Sequence, residues 1–136
     1  MPTKALKRSV GQEAIDPRAL RGIRDFLDRM PTERLPEISR IILFGSHARG
    51  DFEEESDVDL AIALHGMPTK AGQRSHLVLE MSESRDQTLL ATLTDITPMI
   101  VWEGELSNPN NANNPQFHKS ILNEGIEIPW MGEHVS

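Results

Sequence analysis

Two short apolar runs joined by a polar segment constrain the fold of this 136-residue chain more than any other feature. The first, "IILF" at 41–44, is continuously apolar, which is typical of a strand buried on both faces, and Gly45 follows it. In the second, from 57 to 64, apolar side chains alternate with other residues at the period of a strand. The intervening "DFEEES" at 51–56 is too polar for a core element, so we expect two strands connected by a loop.

Three segments have the apolar spacing and the end signals of helices. Asp16-Pro17 predicts a helix start with proline at the first helical position, and apolar residues at helical spacing continue to about position 30. Residues 70–93 also have helix-compatible spacing, although their middle is polar, and we expect one long helix there. Asn114-Pro115 predicts the start of a last helix, which would end at Gly125.

Two further strands complete the predicted elements. Residues 95–102 form the segment "DITPMIVW", in which Pro98 cannot donate a ladder hydrogen bond and therefore favours a sheet edge or a bulge. The segment "IEI" at 126–128 is expected to form a short final strand. This order of elements predicts one α/β (α+β) domain over 1–136, a small mixed sheet flanked by helices, with residues 1–15 as a flexible tail.

The composition excludes several classes of protein. The chain has no stretch of about 18 apolar residues and no apolar start of the kind that a signal peptide needs, so we expect a cytoplasmic protein without a membrane span. It has no cysteine, which excludes disulfides and thiolate metal sites. A net charge of −7 argues against strong nucleic-acid binding by this chain alone, because such binding needs a basic surface.

Asp57 and Asp59 are the first candidate functional residues. Residues two apart in a strand point to the same face, so these carboxylates would project together while Val58 and Leu60 face the core. Two neighbouring anions repel each other, which would raise one pKa unless a cation lies between them. Because magnesium prefers oxygen ligands, the pair predicts a divalent metal site.

The Gly45-Ser46 step predicts a binding position for an anion. Glycine permits close backbone approach, and Ser46 is placed to cap a short helix over 47–50 whose free N–H groups would attract a phosphate. Each signal is weak alone, because Gly-Ser is a common turn and an acidic pair is often a solvated edge. Together they favour a site that holds a metal-bound polyphosphate for in-line displacement.

The stretch "LFGSHARGDFEEESDVDLAI" at 43–62 resembles the signature of the DNA polymerase beta-type nucleotidyltransferase superfamily. Within that superfamily the chain is most similar to the minimal nucleotidyltransferases. These share the Gly-Ser-x-Ala-Arg-Gly step, the Ser-Asp-x-Asp-Leu strand and an ending like "ILNEGIEI". The resemblance covers roughly residues 20–130 and implies the polymerase beta-like fold.

The resemblance assigns roles to five residues. In the family the Gly-Ser pair binds nucleotide phosphates and two catalytic aspartates bind magnesium, which carries over to Gly45, Ser46, Asp57 and Asp59. The family also uses a third carboxylate on the neighbouring strand, and Asp95 is the best-placed acid for this catalytic and metal-binding role. Asp95 could instead cap the helix end before the strand, because the Thr-Pro step after it departs from the commonest family form.

Other polar and aromatic residues near these motifs have more ordinary interpretations. Arg49 could bind a nucleotide phosphate or form a structural ion pair. His47 fills a variable position of the family and Ser56 precedes the second strand, so a local polar role is expected for both. Trp102 and Trp130 are expected to pack against other side chains rather than stack on a base.

The resemblance implies an enzyme that transfers a nucleoside monophosphate, AMP from ATP, to a hydroxyl group, with two magnesium ions (Mg2+) in the site. Minimal nucleotidyltransferases resemble the antitoxin halves of toxin–antitoxin pairs, so the implied partner and acceptor is a small helical HEPN-domain toxin. Two alternatives stay open: an antibiotic nucleotidyltransferase of the aminoglycoside or lincosamide type, and a catalytically silent antitoxin that only binds its partner. Homo- and hetero-oligomers are compatible with each.

Overall fold

A four-stranded mixed sheet forms the centre of the structure, a computed structural model that describes residues 4–6 and 15–129. Its strands are β1 Ile38–Phe44, β2 Val58–Leu64, β3 Ile96–Trp102 and β4 Ile126–Ile128, in the order β3-β2-β1-β4. Strand β1 is antiparallel to β2 and to β4, whereas β2 and β3 are parallel. The α/β fold with a small mixed sheet is therefore confirmed.

Helices lie on both faces of this sheet. In the described part of the chain they are α1 Pro17–Arg29, α2 Ser46–Arg49, α3 Gln73–Glu80, α4 Ser82–Thr92, α5 Glu103–Ser107 and α6 Pro115–Glu124. The prediction of one long helix over 70–93 was wrong, because the chain breaks at Met81. The φ of −97° and ψ of −1° at Met81 depart from helical values, and its side chain is fully buried. The segment therefore forms two helices, α3 and α4, separated by a buried Met81.

The two faces of the sheet carry different side chains, as the period of a strand requires. The face covered by α1 and α3 holds the larger hydrophobic cluster, whose sheet residues include Ile41, Leu43, Leu60, Ile62 and Ile100. The face covered by α5 and α6 holds a smaller cluster, whose sheet residues are Ile42, Ala61, Ala63 and Val101. Strands β1 and β2 are therefore buried on both faces, which the apolar run at 41–44 predicts for β1 only.

Pro98 and Gly125 occupy positions that suit their chemistry. Pro98 lies in β3, an edge strand, where one side of the backbone needs no ladder partner. Helix α6 begins after Asn114, whose Oδ1 accepts a hydrogen bond from the Phe117 N–H at 3.3 Å, and ends at Gly125. A Cβ on Gly125 would lie 2.5 Å from Cγ2 of Ile42, so glycine lets the chain leave α6 in contact with the sheet.

The predicted tail at 1–15 lies largely outside the described residues, as does Trp130. Of the residues described there, Leu6 packs against the smaller cluster and Ile15 is 3% exposed within the larger one. Trp102 is buried, which agrees with its expected packing role. No helix among the described residues is long and apolar enough to cross a membrane.

Candidate active site

Gly45 forms the sharp turn between β1 and α2. Its φ of 75° and ψ of −156° lie in a region that glycine alone adopts readily. A Cβ at this position would collide with Oδ2 of Asp59 and would lie 3.2 Å from its Cγ. The missing side chain therefore allows the Asp59 carboxylate to lie directly against the turn that starts α2.

Asp57 and Asp59 lie at the start of β2, with the alternation that the strand period predicts. Val58 and Leu60 are buried, whereas Asp59 is half-buried and Asp57 is exposed. Asp59 is aligned with Thr97 of β3 in the parallel ladder, and Thr97 Oγ1 donates to Oδ2 of Asp57 at 3.4 Å. The carboxylate pair therefore lies between the end of β1 and the start of β3.

The electrostatics of this pair match the expected repulsion. Burial raises the pKa of Asp59, because it disfavours the charged form, and the neighbouring Asp57 carboxylate raises it further. His47 and Arg49 favour the charged form of Asp59 but do not cancel these effects on its pKa. A cation between the two carboxylates would relieve their repulsion.

Asp95 precedes β3 and lies beside the start of β2. Its carbonyl oxygen accepts a hydrogen bond from the Val58 N–H at 2.9 Å, so positions 57 and 95 are neighbours across the two strands. Its carboxylate binds Arg85 of α4, whose Nε and Nη2 donate to Oδ1 and Oδ2 at 3.0 and 3.3 Å. The backbone of Asp95 thus lies beside the start of β2, next to the carboxylate pair. Its side chain, however, forms a bidentate ion pair with Arg85 of α4.

The three candidate carboxylates meet only part of what a magnesium site requires. Asp57 and Asp59 supply oxygen ligands, and their mutual repulsion favours a divalent cation. Among the described residues, however, no three acidic or histidine side chains are gathered as a metal-binding group. Asp95 would complete such a group only after leaving Arg85.

Helix α2 differs from its prediction at its first residue. The sequence favours Ser46 as the cap of a helix over 47–50, but the helix is Ser46–Arg49 and its N-cap is Gly45, with no side-chain cap hydrogen bond. The reason is the backbone conformation of Gly45, which turns the chain sharply enough for the helix to begin directly after the strand. Ser46 therefore belongs to the first turn of α2.

His47 fastens the loop before β2 to α2. Its Nε2 lies 3.2 Å from the carbonyl oxygen of Ser56, and since that oxygen can only accept, Nε2 carries the donated hydrogen. The ring is 7% exposed and stacks on Phe52 with ring centroids 4.3 Å apart. Oγ of Ser56 accepts a hydrogen bond from the Glu53 N–H at 2.8 Å and closes the same loop. Both residues have the local polar roles that the sequence predicts.

Arg49 forms ion pairs with two acidic residues outside the Asp57–Asp59 pair. Its Nε lies 3.2 Å from Oδ2 of Asp51, and its Nη1 lies 3.3 Å from Oε1 of Glu124 in α6. The structural ion pair that the sequence allows is therefore present, and binding of a nucleotide phosphate by Arg49 stays a prediction.

A cavity of about 600 Å³ opens beside Asp57 and Asp95. It is bounded by the start of α1, the loop before β2 and the end of α4. Sequence reasoning missed Arg18 of α1, which lines this cavity, as well as Arg85 and Thr97. Thr97 could have been found from its two-residue spacing to Asp95 in a strand. The two arginines have no local signal, because folding alone brings their helices to the site.

Comparison with known proteins supports the resemblance to nucleotidyltransferases that the sequence motif indicates. The family described as Polymerase beta, Nucleotidyltransferase matches residues 31–129. Two relatives from Methanocaldococcus jannaschii, both named as candidate protein adenylyltransferases, are 49% and 31% identical to the chain. The first alignment covers 78% of this chain and 94% of the relative, and the second covers 77% and 92%.

A solved structure of a candidate nucleotidyltransferase from Sulfolobus solfataricus is 21% identical and covers 68% of this chain and 80% of that chain. Its TM-score is 0.39, and a likeness at this level supports no conclusion. The family match, in contrast, spans all four strands, the Gly45 turn and the three candidate carboxylates. The chain therefore belongs to the polymerase beta-type nucleotidyltransferase family, among its minimal members.

Proposed function

We propose that this nucleotidyltransferase transfers AMP from magnesium-bound ATP to a hydroxyl group of a partner protein. The observation that carries the proposal is the Asp59 carboxylate lying against Gly45, with Asp57 beside it. Metal-binding oxygens thus lie next to a turn where a phosphate can approach the backbone. The names of the two Methanocaldococcus relatives, candidate protein adenylyltransferases, favour AMP as the transferred group and a protein as the acceptor.

In this transfer the acceptor oxygen forms a bond to the α-phosphorus of ATP and gives up its proton. The bond from that phosphorus to the bridging oxygen breaks, and pyrophosphate leaves with the electron pair. Two magnesium ions, when bound, would neutralise part of the negative charge on the polyphosphate. Asp57 and Asp59 would hold them, and Asp95 would add a third carboxylate after leaving Arg85. Gly45 and Ser46 would offer backbone N–H groups to the phosphates.

The proposed acceptor is a small helical HEPN-type toxin, to which this chain would act as the antitoxin. The net charge of −7 suits docking to a more basic partner protein through complementary fields. A protein acceptor also fits this chain better than an antibiotic, because a hydroxyl group presented by a folded partner needs only a docking surface. A drug-sized ligand needs a pocket that buries most of its surface.

The test is incubation with ATP labelled at the α-phosphate, magnesium and the protein encoded by the neighbouring gene. We expect label on that protein, and none when Asp57→Asn and Asp59→Asn are combined as the control. Label on neither protein, together with transfer to an aminoglycoside or a lincosamide, would reject the protein acceptor. Tight binding of the two proteins without any transfer would favour the catalytically silent antitoxin.

A further inference from the structure

Three leucines at the end of α4, Leu89, Leu90 and Leu93, form an exposed apolar group that we call the leucine patch. Leu90 and Leu93 are 78% and 87% exposed, and Leu89 is 40% exposed. Leu93 caps the end of α4, and its N–H donates a hydrogen bond to the carbonyl oxygen of Leu89 at 2.9 Å, so these two positions are neighbours. Leu90 follows Leu89 directly in the helix. Single exposed leucines are ordinary, but a contiguous group beside a cavity marks an interaction surface.

The backbone at Leu93 is a second observation at the same place. Its φ of 61° makes it the one non-glycine residue with a positive φ among the described residues. The left-handed conformation after a helix is usually taken by glycine or asparagine, because a bulky side chain crowds the backbone there. Leu93 therefore has both an unfavourable backbone conformation and a solvent-exposed side chain. Neither core packing nor helix capping explains why a leucine occupies this position.

We propose that the leucine patch docks the protein whose hydroxyl group receives AMP, an inference that rests on the proposed function. Leu89 and Leu93 line the same cavity of about 600 Å³ as Asp57 and Asp95. A protein seated on the patch would therefore lie directly beside the candidate carboxylates. One of its side chains could then enter the cavity and reach a bound nucleotide.

The charged residues around the patch indicate which kind of protein can bind there. Five acids and two arginines line the cavity: Asp16, Glu54, Glu55, Asp57, Asp95, Arg18 and Arg21. Arg18 lies 4.0 Å from Asp16 and 3.8 Å from Glu54, so its charge is offset. A second copy of this chain, with its net charge of −7, would bring like charges together. A partner with an apolar residue surrounded by basic side chains is complementary to this surface.

The test compares a patch variant with a matched control in the full chain. The patch variant combines Leu90→Gln, because glutamine is a good helix former, with Leu93→Asn, because asparagine tolerates the left-handed conformation. The control is Leu79→Gln, since Leu79 is 70% exposed on α3 and does not line the cavity. The probe is the protein encoded by the neighbouring gene. Its binding is measured by calorimetry, and AMP transfer by label.

We expect the patch variant to weaken probe binding and raise the KM for the probe at least tenfold. Its kcat and its affinity for magnesium-ATP should stay unchanged, and Leu79→Gln should change none of these quantities. Unchanged probe binding by the patch variant, or an equal loss of magnesium-ATP affinity, would overturn the docking surface. A wild-type dimer that the patch variant dissociates in sedimentation would assign the patch to a second copy and also overturn it.

The failure of docking and the failure of the proposed function give different results. A wild-type chain that binds the probe through the patch but transfers no label would reject the transfer and support the docking surface. A wild-type chain that neither binds nor labels the probe, yet binds magnesium-ATP, would overturn the docking proposal.

Discussion

The Asp59 carboxylate occupies the space that a side chain at position 45 would need, and the site can form because residue 45 is a glycine. The positive φ of Gly45 is one reason for glycine, and the contact with the Asp59 carboxylate is a second. Gly50, at the other end of α2, has only the first reason, because nothing lies within 4 Å of the Cβ it lacks. The two glycines therefore differ both in backbone conformation and in the space around the missing Cβ.

We expect Gly45→Ala to lower the free energy of unfolding by about 3 kcal/mol and Gly50→Ala by about 1 kcal/mol. Gly50 has the left-handed conformation that other residues adopt at a modest cost, whereas the φ of 75° and ψ of −156° at Gly45 lie in a region that only glycine adopts readily. Only the Gly45 variant must also move a carboxylate. Urea denaturation measures both values. Equal losses would show that Asp59 moves away freely and does not depend on Gly45.

Asp59→Asn should stabilise the metal-free protein at neutral pH. Because the pKa of Asp59 is higher in the folded than in the unfolded chain, its ionisation opposes folding. This penalty is absent below the unfolded pKa and is complete above the folded one. We expect a gain of about 0.5 kcal/mol at pH 7, reduced by solvent screening, that disappears as the pH falls below about 4.

Denaturation in a chelator at several pH values measures this gain. Asp28→Asn is the control, since Asp28 is an exposed acid on α1, and it should leave the stability unchanged. With magnesium present, Asp59→Asn should lose its advantage, because the wild-type carboxylate then has a cation beside it. A variant that is less stable than wild type without metal would contradict the repulsion.

At the scale of elements, the Arg85–Asp95 ion pair joins α4 to the start of β3. Both side chains are partly exposed, so the pair itself should contribute no more than about 1 kcal/mol to stability. The same contact places the candidate third carboxylate on an arginine of a neighbouring helix. Stability and catalysis can be separated by removing each partner in turn.

Asp95→Asn should abolish most nucleotide transfer, whereas Arg85→Gln should leave it largely intact. Both changes break the ion pair, and we expect both to cost a similar amount of stability, below about 1 kcal/mol. Only the first removes a carboxylate that the proposed metal site needs. Single-turnover rates and thermal unfolding of the two variants give the comparison, and near-wild-type transfer by Asp95→Asn would reject the ligand role.

At the scale of the whole molecule, the site lies where distant parts of the chain meet. The turn after β1, the start of β2 and the residue before β3 belong to segments about 10 to 50 residues apart in the sequence. A ligand that binds all of them should therefore stabilise the entire domain rather than one loop. This makes the melting temperature a readout of the site.

Magnesium and ATP together should raise the melting temperature by more than the sum of their separate effects. The metal would contact both the carboxylates and the polyphosphate, so each ligand completes the binding site of the other. A thermal shift series with each ligand alone and in combination measures the coupling. Combining Asp57→Asn with Asp59→Asn should remove it, and purely additive shifts in the wild type would contradict a shared site.

Local sequence patterns predict the strands, the mixed α/β fold and the placement of the carboxylate pair. These features follow from local patterns, because the side-chain period of a strand fixes which residues share a face. Asp57 and Asp59 could be placed on one face of β2 without knowledge of any other element. The family motif at 43–62 likewise lies within one short segment.

The groups that meet around that pair could not be predicted in this way. The ion pair of Asp95 with Arg85 and the cavity between α1 and α4 depend on contacts between elements far apart in the chain. The break at Met81 was likewise not predictable, because the apolar spacing of residues 70–93 continues through it; in the folded chain Met81 has a ψ of −1° and is buried. Local periodicity states which way a side chain points, but not what lies opposite it, and that is why the leucine patch became visible only in the folded chain.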